Sequence, residues 1–413
     1  MGDNLLSGQL SVDGATGKAG RIEMTGDRVG LFDAKVTADG ATGGGEVLVG
    51  GDYQGLNPLV QNASRTFVSK DSEISADATI AGDGGKVIIW SDNGTKFYGD
   101  ISVQGGPVSG DGGFVEVSGR DYLAFQGGVQ ALAPHGKVGS VLLDPGNMTI
   151  NDAAADANID AGSTGAVATP WEPDNDNSIL TWSSIFALGA NTFITTDNAA
   201  GSQAGDITIT EAPDAQSNSG PYNYNFDVTI TAANNANIVL QNGVNLSNAG
   251  TGGVVFVTSG TGEIQLGGDI TMSGGDITFS GNTVLTANLL LATSGGDISF
   301  EGVGAGTISG AGFNLGMATG AGNISVTGAV GSDSDVLGDL TITSAGDVTF
   351  NGTLDVAGFI QSAGSGTTTF NANLETGAGF SFTGTGLTFA TASGDNVAGG
   401  DMTVSNAGSF PLS

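Results

Sequence analysis

A five-residue unit, Gly-Asp-apolar-Thr/Ser-apolar, recurs eight times between Gly205 and Val404, with Asn replacing Asp at Asn323. Gly275-Asp276-Ile277-Thr278-Phe279, Gly296-Asp297-Ile298-Ser299-Phe300 and Gly346-Asp347-Val348-Thr349-Phe350 are representative. The steps from Asp276 to Asp297, Asn323 and Asp347 are 21, 26 and 24 residues. Within each unit the apolar side chains alternate with a hydroxyl, the period of a half-buried strand. A return in the twenties is one solenoid coil of two or three strands. Since one coil cannot bury its apolar face alone, equivalent residues must stack coil on coil. No proline lies between Pro221 and Pro411, as expected of backbone hydrogen-bonded on both edges.

The first 150 residues carry the same punctuation with different words. Short β-rich runs at Lys86–Ser91, Asp100–Val103, Phe114–Ser118, Tyr122–Phe125 and Ser140–Leu143 are separated by glycine pairs that permit tight corners. Earlier runs at 20–25, 27–32, 34–37 and 45–49 alternate likewise. Loops at about 54–70 and 151–200 are expected to leave the stack. Ala/Asp-rich 151–165 and the turn at 170–177 break the pattern, and a polar loop follows at 211–224. Ser178–Leu188 is expected to form a short helix, capped by Ser178 or Thr181 and ended by Gly189, with Trp182, Ile185 and Leu188 facing the core. It reads as cover for a flank of the stack, the other reading being a ligand-binding insertion. The division is coils over 1–150, an insertion over 151–204 and coils over 205–413, in an all-β, right-handed parallel β-helix.

Seventy-three glycines against nine prolines, without a triplet period, exclude collagen. The net charge is −32, and residues 1–137 hold 17 acidic and all 10 basic side chains. Residues 138–413 hold 25 acidic and no basic ones. Nucleic acid and anionic membranes are therefore poor partners, whereas weak attraction of Ca²⁺ is expected. The absence of cysteine excludes disulfides and thiolate sites. No apolar run approaches the ~20 residues of a membrane helix. Met1-Gly2-Asp3-Asn4 opens no signal peptide, so an internal piece of a longer exported chain is expected.

No catalytic constellation stands out. His135 sits in a turn, Ala133-Pro134-His135-Gly136-Lys137, and reads as a solvated side chain. Gly82-Asp83-Gly84-Gly85 and Gly110-Asp111-Gly112-Gly113 lack the nine-residue recurrence of calcium-binding β-rolls, so Asp83 and Asp111 read as Asx-type bonds fixing corners. Thr208 with Thr210 and Thr341 with Thr343 are of Thr-x-Thr type, a pattern that does not return coil after coil. Tyr53, Tyr98, Tyr222 and Tyr224 are candidates to stack on sugars, while Trp90 reads as a core or coil-edge residue.

Several strings resemble large secreted exoproteins of the filamentous haemagglutinin type. They are Val49-Gly50-Gly51-Asp52-Tyr53-Gln54-Gly55, Gly82–Trp90, Gly110–Gly119 and Leu142-Leu143-Asp144-Pro145-Gly146-Asn147-Met148-Thr149-Ile150. The resemblance covers about residues 20–210. It implies export through an outer-membrane two-partner secretion transporter, an extracellular place at the surface of a Gram-negative-type bacterium, and adhesion. The family's N-terminal secretion domain is not visible, and Asn57-Pro58-Leu59 echoes its Asn-Pro motifs out of context, so the chain reads as shaft. The expected function is a structural and adhesive, non-enzymatic segment without cofactor or fixed metal site, contacting a surface glycan or protein. Alternatives are a self-associating filament subunit and a carbohydrate-active β-helix enzyme.

Overall fold

The structure is a computed structural model that describes residues 2–152, 171, 178–196, 203–213, 223–302, 306–390 and 397–408. Of the expected turn at 170–177 only Trp171 is among these residues, and 153–165 of the Ala/Asp-rich stretch and 214–222 of the polar loop, with Tyr222, lie outside them. The chain is nearly all β, in long sheets of parallel strands, consistent with a parallel β-helix. It forms two compact units, Met1–Ile207 and Thr208–Ser413.

In the first unit one row of parallel strands stacks Arg21–Met24, Glu46–Val49, Lys86–Ile89, Phe114–Ser118, Ser140–Asp144 and Asn191–Thr195. A second row places Arg65–Val68, Gly94–Phe97 and Tyr122–Phe125 on the first half of Arg28–Thr37. A third places Glu73–Ser75, Asp100–Ser102 and Gly128–Gln130 on its second half. Each coil thus holds three strands, and alternate residues turn inward. Val47, Val87, Val115 and Val141 form one inner column and Val49, Ile89, Val117 and Leu143 the next, all fully buried.

Two expected loops are shorter than the sequence suggests. The excursion that begins at Gly50 ends by Ser64, because Arg65–Val68 pairs with both Arg28–Thr37 and Gly94–Phe97. The first four residues of the expected helix are a strand: Ser178–Thr181 lies between Tyr122–Phe125 and Met148–Asn151, ahead of its place in the chain order. Pairing on both edges outweighs a weak local helix preference here. The helix is Trp182–Phe186, and Thr181 caps it by accepting the Ser184 N–H at 3.2 Å. Trp182, Ile185 and Leu188 are buried as expected. Gly189 then bridges to Gln130, so the helix fills a stretch where the third row is interrupted.

In the second unit the five-residue unit becomes a set of columns. Val254–Thr258, Ile277–Ser280, Ile298–Glu301, Ile324–Val326, Val348–Phe350, Thr367–Phe370 and Gly386–Phe389 stack in register. The last apolar position places Phe279 on Phe300 at 4.7 Å and Phe370 on Phe350 and Phe389 at 5.3 Å each. The hydroxyl position points outward as a ladder of Thr278, Ser299, Ser325, Thr349, Thr369 and Thr388. A single hydroxyl therefore does return coil after coil, although the Thr-x-Thr pair does not.

The Asp of the unit bonds across coils. Asp276 Oδ1 accepts the Asp297 N–H at 2.8 Å, Asp297 Oδ1 that of Asn323 at 2.6 Å, and Asn323 Oδ1 that of Asp347 at 2.9 Å. Asp83 and Asp111 behave alike, accepting from Asp111 at 2.8 Å and Lys137 at 2.7 Å. These bonds fix corners as an Asx turn would, but they close between neighbouring coils. Asn323 works in the series because the bond uses only a side-chain oxygen.

Candidate functional site

The outward column of the first row should be polar, since alternation leaves it toward solvent. Instead Glu23, Leu48, Ile88, Glu116 and Leu142 follow one another, and the last four are buried. Their cover is the excursion between Val49 and Arg65. The chain leaves the strand at Gly50, whose φ is +80°, and a Cβ there would lie 2.3 Å from the Trp90 carbonyl oxygen. Val60 returns to pack with Leu48, Ile88 and Trp90. Trp90 is thus buried, as the sequence suggests.

Asp52 anchors the turn Tyr53–Gly55. It accepts the Tyr53 N–H at 2.8 Å, the Asn57 amide at 2.7 Å and the Lys86 ammonium at 3.1 Å. Burial works to raise its pKa, but these bonds and the Lys86 charge outweigh it and hold the carboxyl below its ordinary value. Lys86 also pairs with Glu46 at 2.7 Å, and Glu46 with Arg21 at 3.3 Å. Gln54 takes a positive φ of 51°, and its N–H donates to Glu116. Its side-chain amide reaches Asp144 at 3.5 Å. Burial pushes the Glu116 carboxyl up to about 7; the Asp52 charge adds to the rise, while the Gln54 N–H and Lys86 oppose it.

Beyond the turn, Leu56 and Leu59 are 73% and 90% exposed, an unusual state for leucines on an otherwise anchored loop. Beside them lies a cleft of about 510 Å³ lined by Asp27, Asn57, Gln61, Asn62, Asp92 and Arg120, among others. Asp92 is its hub, accepting from Asn62 at 3.1 Å, the Trp90 indole at 3.3 Å and Arg120 at 3.4 Å. The arrangement is a loop tied to the sheet, with an apolar tip and a polar cleft beside it.

Of the tyrosine candidates among the described residues, only Tyr53 belongs to this surface; it is 43% exposed and its ring lies 5.9 Å from Phe114. Tyr98 packs on Phe67 at 6.0 Å, and Tyr224 is buried against Phe226 at 5.5 Å. His135 is exposed in a turn, as the sequence suggests. Glu116, Leu56 and Leu59 were not singled out by sequence. A signal exists for the covered column: Val47-Leu48-Val49 and Val87-Ile88-Ile89-Trp90 are unbroken apolar runs, the mark of a strand buried on both faces. No protein-family model matches this chain, and no curated protein matches it.

Proposed function

We propose that this chain is a structural and adhesive segment of a secreted or cell-surface bacterial fibre, related to the filamentous haemagglutinin-type exoproteins. Its stacked coils act as scaffold, and the excursion between Gly50 and Ser64 acts as a contact surface. The observation that carries this reading is the pairing of a rigid base with exposed apolar residues: Asp52 and Gln54 are tied to the sheet, while Leu56 and Leu59 project from it. Binding residues on loops held by a rigid scaffold are a common solution. Coil-to-coil carboxylate bonds support the mechanical part, because each joins main chain to a neighbouring coil. The strings that carry the family resemblance occupy the strands and the excursion of the first unit. Export by a two-partner secretion transporter and display outside the cell belong to the same reading. The reading is tested by adding the purified protein to panels of immobilised glycans and intact cells. Retention on a cell surface or glycan is expected; no retention on any of them contradicts the adhesive role.

A further inference from the structure

The two exposed aromatic side chains among the described residues, Tyr53 and Phe193, stand on the outer face of the first row of strands. Phe193 is 41% exposed and follows Leu142 in the outward column that the excursion covers further back. Tyr53 sets its ring on Phe114, two residues before Glu116 on the same outer side. Phe114 matches Ser140, which matches Asn191, so Phe193 lies two coils and two residues away from Phe114. With a coil rise of about 4.8 Å and about 3.3 Å per residue, their Cα atoms are roughly 12 Å apart. Half-buried Phe114 and the Leu142 side chain connect the exposed rings, which makes a strip of them rather than scattered apolar residues. The charges of this face are paired or buried. Arg21 pairs with Glu23 and Glu46, and Lys86 with Glu46 and Asp52. Glu116 and Asp144 are buried and take hydrogen bonds from Gln54.

We propose that this strip binds a neutral β-1,4-linked glycan, with sugar rings stacked on Tyr53 and Phe193. An aromatic face attracts the apolar C–H face of a pyranose, and the phenol of Tyr53 adds a polar handle. A neutral polyol also leaves the ion pairs of this face intact. With their substituents equatorial, β-1,4-linked rings form a straight ribbon with flat faces, and such a ribbon can reach both platforms on a flat sheet. An α-1,4-linked chain coils away from it. Ser140 and Asn191, both half-buried, continue the column of Phe114 and place polar side chains beside the rings, where sugar hydroxyls need partners. A peptide adds to a sheet as a strand only at a free edge, and Phe114–Ser118 and Ser140–Asp144 are paired on both sides.

The inference rests on the adhesive reading and names a ligand class for it, and the two are tested apart. Titration calorimetry compares cellohexaose, maltohexaose and a polyproline peptide, using the full chain and its Tyr53→Ala/Phe193→Ala and Tyr53→Phe/Phe193→Tyr variants. Cellohexaose is expected to bind the full chain and the variant that keeps both rings, with the same affinity at about 0.05 and about 0.5 M salt. The alanine variant should bind about tenfold or more weakly. Its melting temperature should not change, since both side chains are exposed. Absence of cellohexaose binding, equal binding by the alanine variant, loss of binding by the ring-keeping variant, or equal or tighter binding of maltohexaose or the polyproline peptide overturns the assignment. A protein that adheres to cells but ignores cellohexaose overturns this inference alone. One that binds cellohexaose in solution but is retained on no intact cell overturns the cell-contact reading alone.

Discussion

The main-chain N–H of Gln54 faces both carboxylate oxygens of Glu116, at 3.2 and 3.1 Å, across 62 residues of sequence. One titrating group therefore sits under the excursion. Lys86 and Asp52 flank it, and their own pKa values are shifted up and down, away from neutrality. In the folded chain Glu116 holds its proton to about 7, against 4.5 for the ordinary group. The native state thus binds more protons between these values, and stability falls as pH rises through that window. A shift of this size corresponds to something on the order of 3 kcal/mol, fully present below pH about 4.5 and lost above about 7. Urea unfolding at pH 5 and pH 8 checks this: Glu116→Gln should remove most of the difference, whereas Glu23→Gln, at the exposed end of the same column, should leave it.

Gly50→Ala should destabilise the first unit by about 1–3 kcal/mol, since the new Cβ meets Thr66 Oγ1 at 2.2 Å in a left-handed conformation. Gly17→Ala is the control, having nothing within 4 Å of the added carbon and an ordinary φ. Thermal melts of both variants measure the contrast. Equal melting temperatures contradict the geometry at which the excursion leaves the strand.

The carboxylate column gives an unusual mutational order. Asp297→Ala should cost about 0.5–1.5 kcal/mol, the value of a hydrogen bond, by freeing the Asn323 N–H. Asp297→Asn should be neutral or stabilising, because it keeps the accepting oxygen and removes one charge from a column that also holds Asp276 and Asp347. The advantage of asparagine should shrink with added salt. Denaturant midpoints at low and high ionic strength separate these effects.

Much of the architecture was readable because each position of Gly-Asp-Ile-Thr-Phe has one physical task repeated in every coil. The inward phenylalanines and outward hydroxyls follow from a period of two, and the proline-free stretch from the ladder itself. The strand Ser178–Thr181 was not readable, because its pairing partners, Tyr122–Phe125 and Met148–Asn151, are distant in sequence and its own residues suit a helix cap equally well. The excursion was visible as polar sequence but not its end at Ser64, which depends on pairing of Arg65–Val68. Glu116 was hidden for a related reason: in Phe-Val-Glu-Val-Ser it alternates like any exposed residue, and only the loop folded over it makes it buried. Leu56 and Leu59 carried no periodic signal, since a loop tip has none.

In the proposed role the excursion makes the contact and the coils hold it. Its most direct test is the binding isotherm of the full chain on whichever cell surface or glycan retains it, compared with that of Leu56→Asp/Leu59→Asp. Both side chains are exposed, so the melting temperature should not change. A loss of about tenfold or more in affinity is expected for the double variant. Undiminished binding by a folded double variant would contradict it.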